Sequence, residues 1–118
     1  MTEVRPWGEF TVLLDASDCK VKRISINENS RISLQRHVYR RETWVCVSGI
    51  LMVEVGKKLV QLNHQFIYPG EVITIPVGHI HRATSVCTDM GAVFIETQTG
   101  TYFGEDDIER FEDDFGRK

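Results

Sequence analysis

From Phe10 onward, Val, Ile, Thr, Phe and Tyr come in short stretches, cut about every 8 to 12 residues by Gly, Asn, Pro or Asp. No extended 3.6-residue periodicity interrupts them, so the pattern predicts strands. Strands are expected near 10–14, 20–26, 31–37, 43–48, 50–55, 58–62, 72–75, 81–86 and 92–98. Turns are expected at Asn27–Asn29, Ser48–Gly49, Val55–Lys57, Pro69–Gly70 and Val77–Gly78. Short strands of this number suit an all-β sandwich or barrel, and closing a barrel removes exposed edges. The segment 105–118 reads differently. Ile108, Phe111 and Phe115 recur at helical spacing among acids, which predicts a short helical turn docked on the barrel by those three side chains.

The chain has 118 residues, enough to bury about two thirds of its unfolded surface as one domain spanning 1–118. It is 42% hydrophobic and 26% charged, with no apolar run near the ~20 residues of a membrane span. The first ten residues carry acids and a Pro-Trp-Gly turn where a secretory signal would have a basic and then an apolar stretch, so a cytoplasmic protein is expected. Cys19, Cys46 and Cys87 are odd in number and form no C-x-x-C pair. Cys46 and Cys87 read as small buried hydrophobes, and Cys19 has no assigned role. Of the net charge of −3, residues 105–118 carry −4 and the rest +1, too weak a field for nucleic-acid binding.

The polar residues of segment 29–49 follow an order that packing does not require. Gln35 and His37 are two apart, so on a strand both point to one face, where an amide oxygen and an imidazole nitrogen can converge. Glu42, after a turn, can bring a carboxylate to the same point. In segment 70–85, Pro76 and Gly78 make a tight corner that delivers His81 at the start of a strand. A carboxylate facing a barrel interior is costly without a cation, so these four side chains read as ligands of one divalent metal. His64, in a polar turn, is expected to be exposed.

These residues resemble the cupin superfamily, whose motifs run G-x5-H-x-H-x4-E-x6-G and G-x5-P-x-G-x2-H-x3-N. Asn29, Gln35, His37, Glu42 and Gly49 match the first spacing, and Gly70, Pro76, Gly78, His81 and Ser85 the second. Asn at position 29 tolerates the left-handed turn of the usual Gly. The second motif selects His81 over His79 and leaves His79 to the rim or surface. The resemblance implies a double-stranded β-helix, or jelly-roll, barrel.

A narrower resemblance covers nearly the whole chain through Arg5-Pro-Trp-Gly8, Lys20-Val-Lys-Arg-Ile24, Leu34-Gln-x-His37, Arg40-x-Glu42-x-Trp44, His81-Arg82 and Gly104-Glu-Asp-Asp-Ile108. It is similar to the type II mannose-6-phosphate isomerases, commonly the C-terminal module of a bifunctional enzyme with a guanylyltransferase domain. The resemblance implies interconversion of mannose 6-phosphate and fructose 6-phosphate through an enediol, with zinc as the metal. The mixed oxygen and nitrogen ligands also suit Mn, Fe, Co or Ni. Glu96 is either an acid–base group or a surface carboxylate at a strand end. Lys22 and Arg40 match family positions, and either could hold the phosphate of the sugar. Lys22 also counts as a candidate catalytic residue, although K-V-K-R reads equally as a solvated face. Arg110 reaches the barrel mouth or pairs with the acidic tail. Tyr39 and Thr43 replace two His residues of the family pattern and would border the sugar pocket. The open alternatives are a non-catalytic cupin that binds a sugar or sugar nucleotide, and a cupin oxygenase. Cupins commonly pair through edge strands, which implies a homodimer.

Overall fold

Period-two alternation decides which side chains of this protein meet in its interior. The computed structural model describes residues 2–116. Eleven strands run in order: β1 (Thr2–Arg5), β2 (Gly8–Asp15), β3 (Cys19–Ile26), β4 (Leu34–Arg36), β5 (Arg40–Ser48), β6 (Leu51–Gly56), β7 (Asn63–Ile67), β8 (Val72–Ile75), β9 (Ile80–Ser85), β10 (Ala92–Gly100) and β11 (Glu109–Glu112). They form an antiparallel six-stranded sheet, β1-β2-β3-β10-β5-β8, and an antiparallel five-stranded sheet, β11-β4-β9-β6-β7.

The inner face of the larger sheet changes character along its strands. At one end Ile24, Phe94 and Cys46 stand opposite one another across β3, β10 and β5. One step on, Lys22 faces Glu96, which faces Trp44; two residues further Lys20 faces Gln98, which faces Glu42. The first row belongs to an apolar core with Ile26, Leu51, Val53, Ala83 and Ala92. The later rows carry ionisable groups into the interior. Trp44 is fully buried and joins the two halves: its ring lies 4.6 Å from Phe94 and 5.7 Å, edge-on, from His81.

Two backbone positions explain motif residues. Asn29 adopts the left-handed region at φ 56°, as its place in the turn predicts. Gly49 has φ 74°, and a Cβ there would come within 2.5 Å of the Gly91 carbonyl oxygen, so only glycine fits.

Three expectations need correction. The tail forms strand β11 on the edge of β4 instead of a helical turn, and no helix occurs among the described residues. Ile108 and Phe111 are partly buried, but Phe115 is exposed. The strand expected at 58–62 lies at 63–67, because Lys58 to Gln61 close a turn with Gln61 N–H donating to the Lys58 carbonyl. Strand β1 was not expected at all. Cys46 is buried as read, whereas Cys87 and Cys19 are only partly so.

Candidate metal centre

Each element contributes by register. On β5, Arg40, Glu42 and Trp44 share the inward face. In the opposite sheet, Gln35 of β4 is paired directly with His81 of β9. His37 follows β4, and its carbonyl accepts the Gly78 N–H at 2.9 Å, so the Pro76–Gly78 corner that leads to His81 is tied to the backbone of His37. His37, Glu42 and His81 come together with their ligand atoms within 4.8 Å of one another, the one such group among the described residues. All three are buried.

Both imidazoles are fixed for ligation. His37 Nδ1 lies 2.7 Å from the Asp107 carbonyl oxygen and His81 Nδ1 2.9 Å from that of His79. A carbonyl only accepts, so each Nδ1 carries the proton and each Nε2 presents a lone pair. Those Nε2 atoms lie 3.1 Å from Glu42 Oε2 and 3.7 Å from Glu42 Oε1. Burial pushes His81 down to about 4, further than Glu42 restores it, so it is neutral at neutral pH. Burial alone would raise the Glu42 carboxyl, but its surroundings, with the Arg40 guanidinium against it, hold it well below the usual carboxylate range. Arg40 is the permanent cation there: its Nε donates to Glu42 Oε2 at 2.9 Å, and Nη2 lies 2.9 Å from the same oxygen and 3.2 Å from His37 Nε2. Trp44 Nε1 donates to Glu42 Oε1 at 2.9 Å.

This donor set fits a divalent cation. Two lone pairs and a carboxylate crowd one point where only a positive charge relieves their repulsion, and Arg40 already supplies one such charge. A divalent ion would compete with Arg40 for the same atoms. Gln35 Nε2 donates to Ser33 Oγ at 3.0 Å and lies 3.3 Å from the Ser33 carbonyl, leaving the oxygen end of the amide outside those bonds.

A cavity of about 90 Å³ opens beside this group. Gln35, Glu42, His81, Lys22, Arg40, Glu96 and Arg110 all line it, on a floor that includes Trp44 and Phe10. Glu96 is buried, which removes the reading as a surface carboxylate. Burial and nearby Glu42 push it up to about 8 against the pull of Arg40 and Lys22, and Gln98 Nε2 donates to it at 2.7 Å. Lys22 is likewise buried, 4.3 Å from the Phe10 ring centre, and is no solvated face. Tyr39 is exposed, stacks edge-on to Tyr102 and lies outside the cavity lining. His79 lies apart from the ligand group and serves through its backbone carbonyl. His64 is exposed as read, on β7 beside Glu54.

Asp107, Gln98 and Glu105 escaped the sequence reading. Gln98 carried a signal, being two residues from Glu96 on one strand. Asp107 and Glu105 stood in the Gly104-Glu-Asp-Asp-Ile108 stretch that marks the resemblance but had no assigned role, because they meet their partners across 70 and 83 residues of chain.

A family model described as mannose-6-phosphate isomerase C-terminal matches residues 1–113. Alginate biosynthesis protein AlgA of Pseudomonas syringae pv. tomato is 39% identical over 113 residues, 96% of this chain and 22% of that protein. Xanthan biosynthesis protein XanB of Xanthomonas campestris pv. campestris is also 39% identical, over 96% of this chain and 23% of its own length. Mannose-1-phosphate guanylyltransferase of Sinorhizobium fredii is 35% identical over 96% of this chain and 21% of its own. The chain thus spans about a fifth of the length of these curated relatives. Among solved structures, capsular polysaccharide assembling protein CapF from Staphylococcus aureus superposes with TM-score 0.83 at 20% identity, over 95% of this chain and 34% of that one. Oxalate decarboxylase from Bacillus subtilis gives 0.82 at 13% identity, over 94% and 30%. At such identities the likeness speaks for the fold alone.

Proposed function

Because the chain belongs to the mannose-6-phosphate isomerase C-terminal family and has a cupin fold, we propose that it is a metal-dependent isomerase interconverting mannose 6-phosphate and fructose 6-phosphate. The observation that carries this reading is the convergence of two Nε2 lone pairs and the Glu42 carboxylate beside a cavity lined by Lys22, Arg40 and Arg110.

His37, Glu42 and His81, with Gln35 as fourth ligand, would hold one divalent ion, zinc by family and Mn, Fe, Co or Ni by ligand chemistry. When bound, the ion supplies Lewis-acid stabilisation of the sugar oxygen that gains negative charge in the enediol. Everything else falls to the chain. Lys22, Arg40 and Arg110 bind the phosphate dianion and so fix the sugar's orientation. In its ionised form Glu96 takes the proton from C2 of the open-chain aldose and returns it at C1, while the hydroxyl proton of O2 passes to O1, so that C2 becomes the ketone of fructose 6-phosphate. Lys22, beside Glu96 across the β3–β10 pair, steadies the carboxylate formed when the proton leaves again. Trp44 and Phe10 exclude water from the floor, and Tyr39 has a place only at the outer rim. The protein acts in the cytoplasm as a homodimer joined through edge strands. Light scattering at micromolar concentration that finds only a 13.6 kDa species would reject the dimer.

A coupled assay on purified, metal-loaded protein tests the reaction. Turnover of mannose 6-phosphate that disappears in Glu42→Ala is expected. Binding of the sugar phosphate without turnover would replace the isomerase with a non-catalytic binding module.

A further inference from the structure

The cations of the cavity are already engaged by a carboxylate of the chain itself. Glu105 Oε2 accepts a hydrogen bond from Lys22 Nζ at 2.8 Å and lies 3.9 Å from Lys20 Nζ and 4.0 Å from Arg40 Nη1. The cations are walled in: the Lys22 and Arg40 side chains are 5% and 7% exposed, whereas that of Glu105 is 53% exposed. The positive groups therefore belong to the built interior, and the anion reaches in from solvent.

One carboxylate does not satisfy this cluster. Arg40 Nη1 and Arg110 Nε are both buried without a hydrogen-bond partner, and both residues line the cavity. Leaving such donors unmet costs free energy that an anion with more acceptor atoms would recover. A phosphate monoester has three terminal oxygens and up to two negative charges, and a guanidinium pairs with it through two parallel N–H groups.

The backbone allows the exchange. Glu105 sits in a turn closed by the Asp107 N–H on the Gly104 carbonyl at 3.1 Å. The anchor of that segment is Asp107, whose carboxylate accepts the N–H groups of Val38 and Tyr39 at 2.9 and 3.0 Å. The Glu105 side chain can rotate outward while this anchor, and with it the support of His37, stays in place.

We propose that Glu105 is an exchangeable internal counter-anion: its carboxylate closes a dianion subsite built from Lys20, Lys22, Arg40 and Arg110, and the phosphate of the incoming substrate displaces it into solvent. The inference rests on the sugar-phosphate reading for the identity of that substrate. It makes Glu105 a specificity residue, because a neutral sugar offers no charge with which to displace a salt-bridged carboxylate. Glu105 is ionised for this role: burial would raise its carboxyl, but Lys22, Arg40 and Lys20 hold it below the usual range.

Calorimetric titration with inorganic phosphate, and with mannose as neutral control, tests the exchange in the full chain. Glu105→Gln should bind phosphate about tenfold more tightly than the unaltered protein, since the competing charge is gone. Lys22→Met should weaken phosphate binding in either background, and mannose should not respond to Glu105→Gln. Equal or weaker phosphate binding by a Glu105→Gln protein with an unchanged melting curve overturns the proposal. If that variant does not fold, a crystal structure of the unaltered protein grown with phosphate decides. Phosphate against Lys22 and Arg40, with Glu105 turned outward, upholds the exchange; Glu105 still on Lys22 at saturating phosphate overturns it. Phosphate binding needs no turnover, so tighter binding in a protein that fails the isomerase assay refutes only the isomerase. Turnover with unchanged phosphate affinity refutes only the exchange.

Discussion

Asp107 shows how a residue 70 positions from a candidate ligand in sequence sets the geometry of that ligand. Its carbonyl fixes the tautomer of His37, and its carboxylate holds two backbone N–H groups of the turn into β5. Asp107→Ala leaves those N–H groups without their acceptors and lets the carbonyl drift. The variant should lose about 1–3 kcal/mol in urea unfolding. Its zinc affinity, read by competition with a chelator, should fall about 10–100-fold, as expected for loss of an outer hydrogen bond to a ligating histidine. Unchanged zinc affinity would remove Asp107 from the account. At this scale the sequence was legible where chemistry and spacing coincide: His37, then Glu42, then His81 after a Pro-x-Gly corner, three side chains whose ligand atoms meet. It was illegible where a partner comes from another part of the chain, as with Asp107 on His37 and Glu105 on Lys22.

Strand β11 shows the same limit for an element. Ile108, Phe111 and Phe115 share a helical spacing, but the free edge of β4 offers backbone partners that a short helical turn on the surface lacks. Arg110 pairs with Gln35 in that register, and side chains secure it: Arg36 donates to Glu109, and Arg82 spans from the Ile32 carbonyl to Glu112. Arg82 is almost wholly buried, and its guanidinium is a buried tie between the sheet and the tail. Arg82→Leu should destabilise the protein by about 2–4 kcal/mol in urea, because it strands the buried Ile32 carbonyl and frees β11 from its contacts through Glu112. A loss under about 0.5 kcal/mol, the range of ordinary surface substitutions, would contradict this.

Past β11, Arg31 grips Asp114 through two 2.8 Å contacts and holds its carboxyl below the usual range. A depressed folded-state pKa contributes stability that is present above the unfolded value, about 3.9, and is lost as pH falls through the folded one. The acid-side drop in melting temperature should therefore be shallower in Asp114→Asn than in the unaltered protein. Parallel acid profiles would show that the pair contributes nothing. Of the edge strands, β8 alternates and lies where expected at 72–75, whereas β1, β7 and β11 were the hard ones to read. β1 and β7 are exposed along nearly their whole length, so burial imposes no alternation on their sequences.

Over the whole molecule, two facing sheets divide the interior into an apolar half around Trp44, Phe94 and Leu51 and a polar half that ends at the cavity. The all-β class was legible because most of the long strands bury one face and so alternate. That the ionisable rows gather at one end was not, because it depends on register between strands distant in sequence. Lys22 reaches Glu96, and Gln98 reaches Glu42, only once β3 and β5 flank β10. The apolar half supports the fold, and the polar half concentrates charge that the fold alone does not need. Metal binding tests that division most directly. Elemental analysis and zinc titration of the purified protein should find one divalent ion per chain, with binding lost in Glu42→Ala while the fold persists. A protein that binds no divalent metal, or a Glu42→Ala variant that binds it as tightly, would contradict the account.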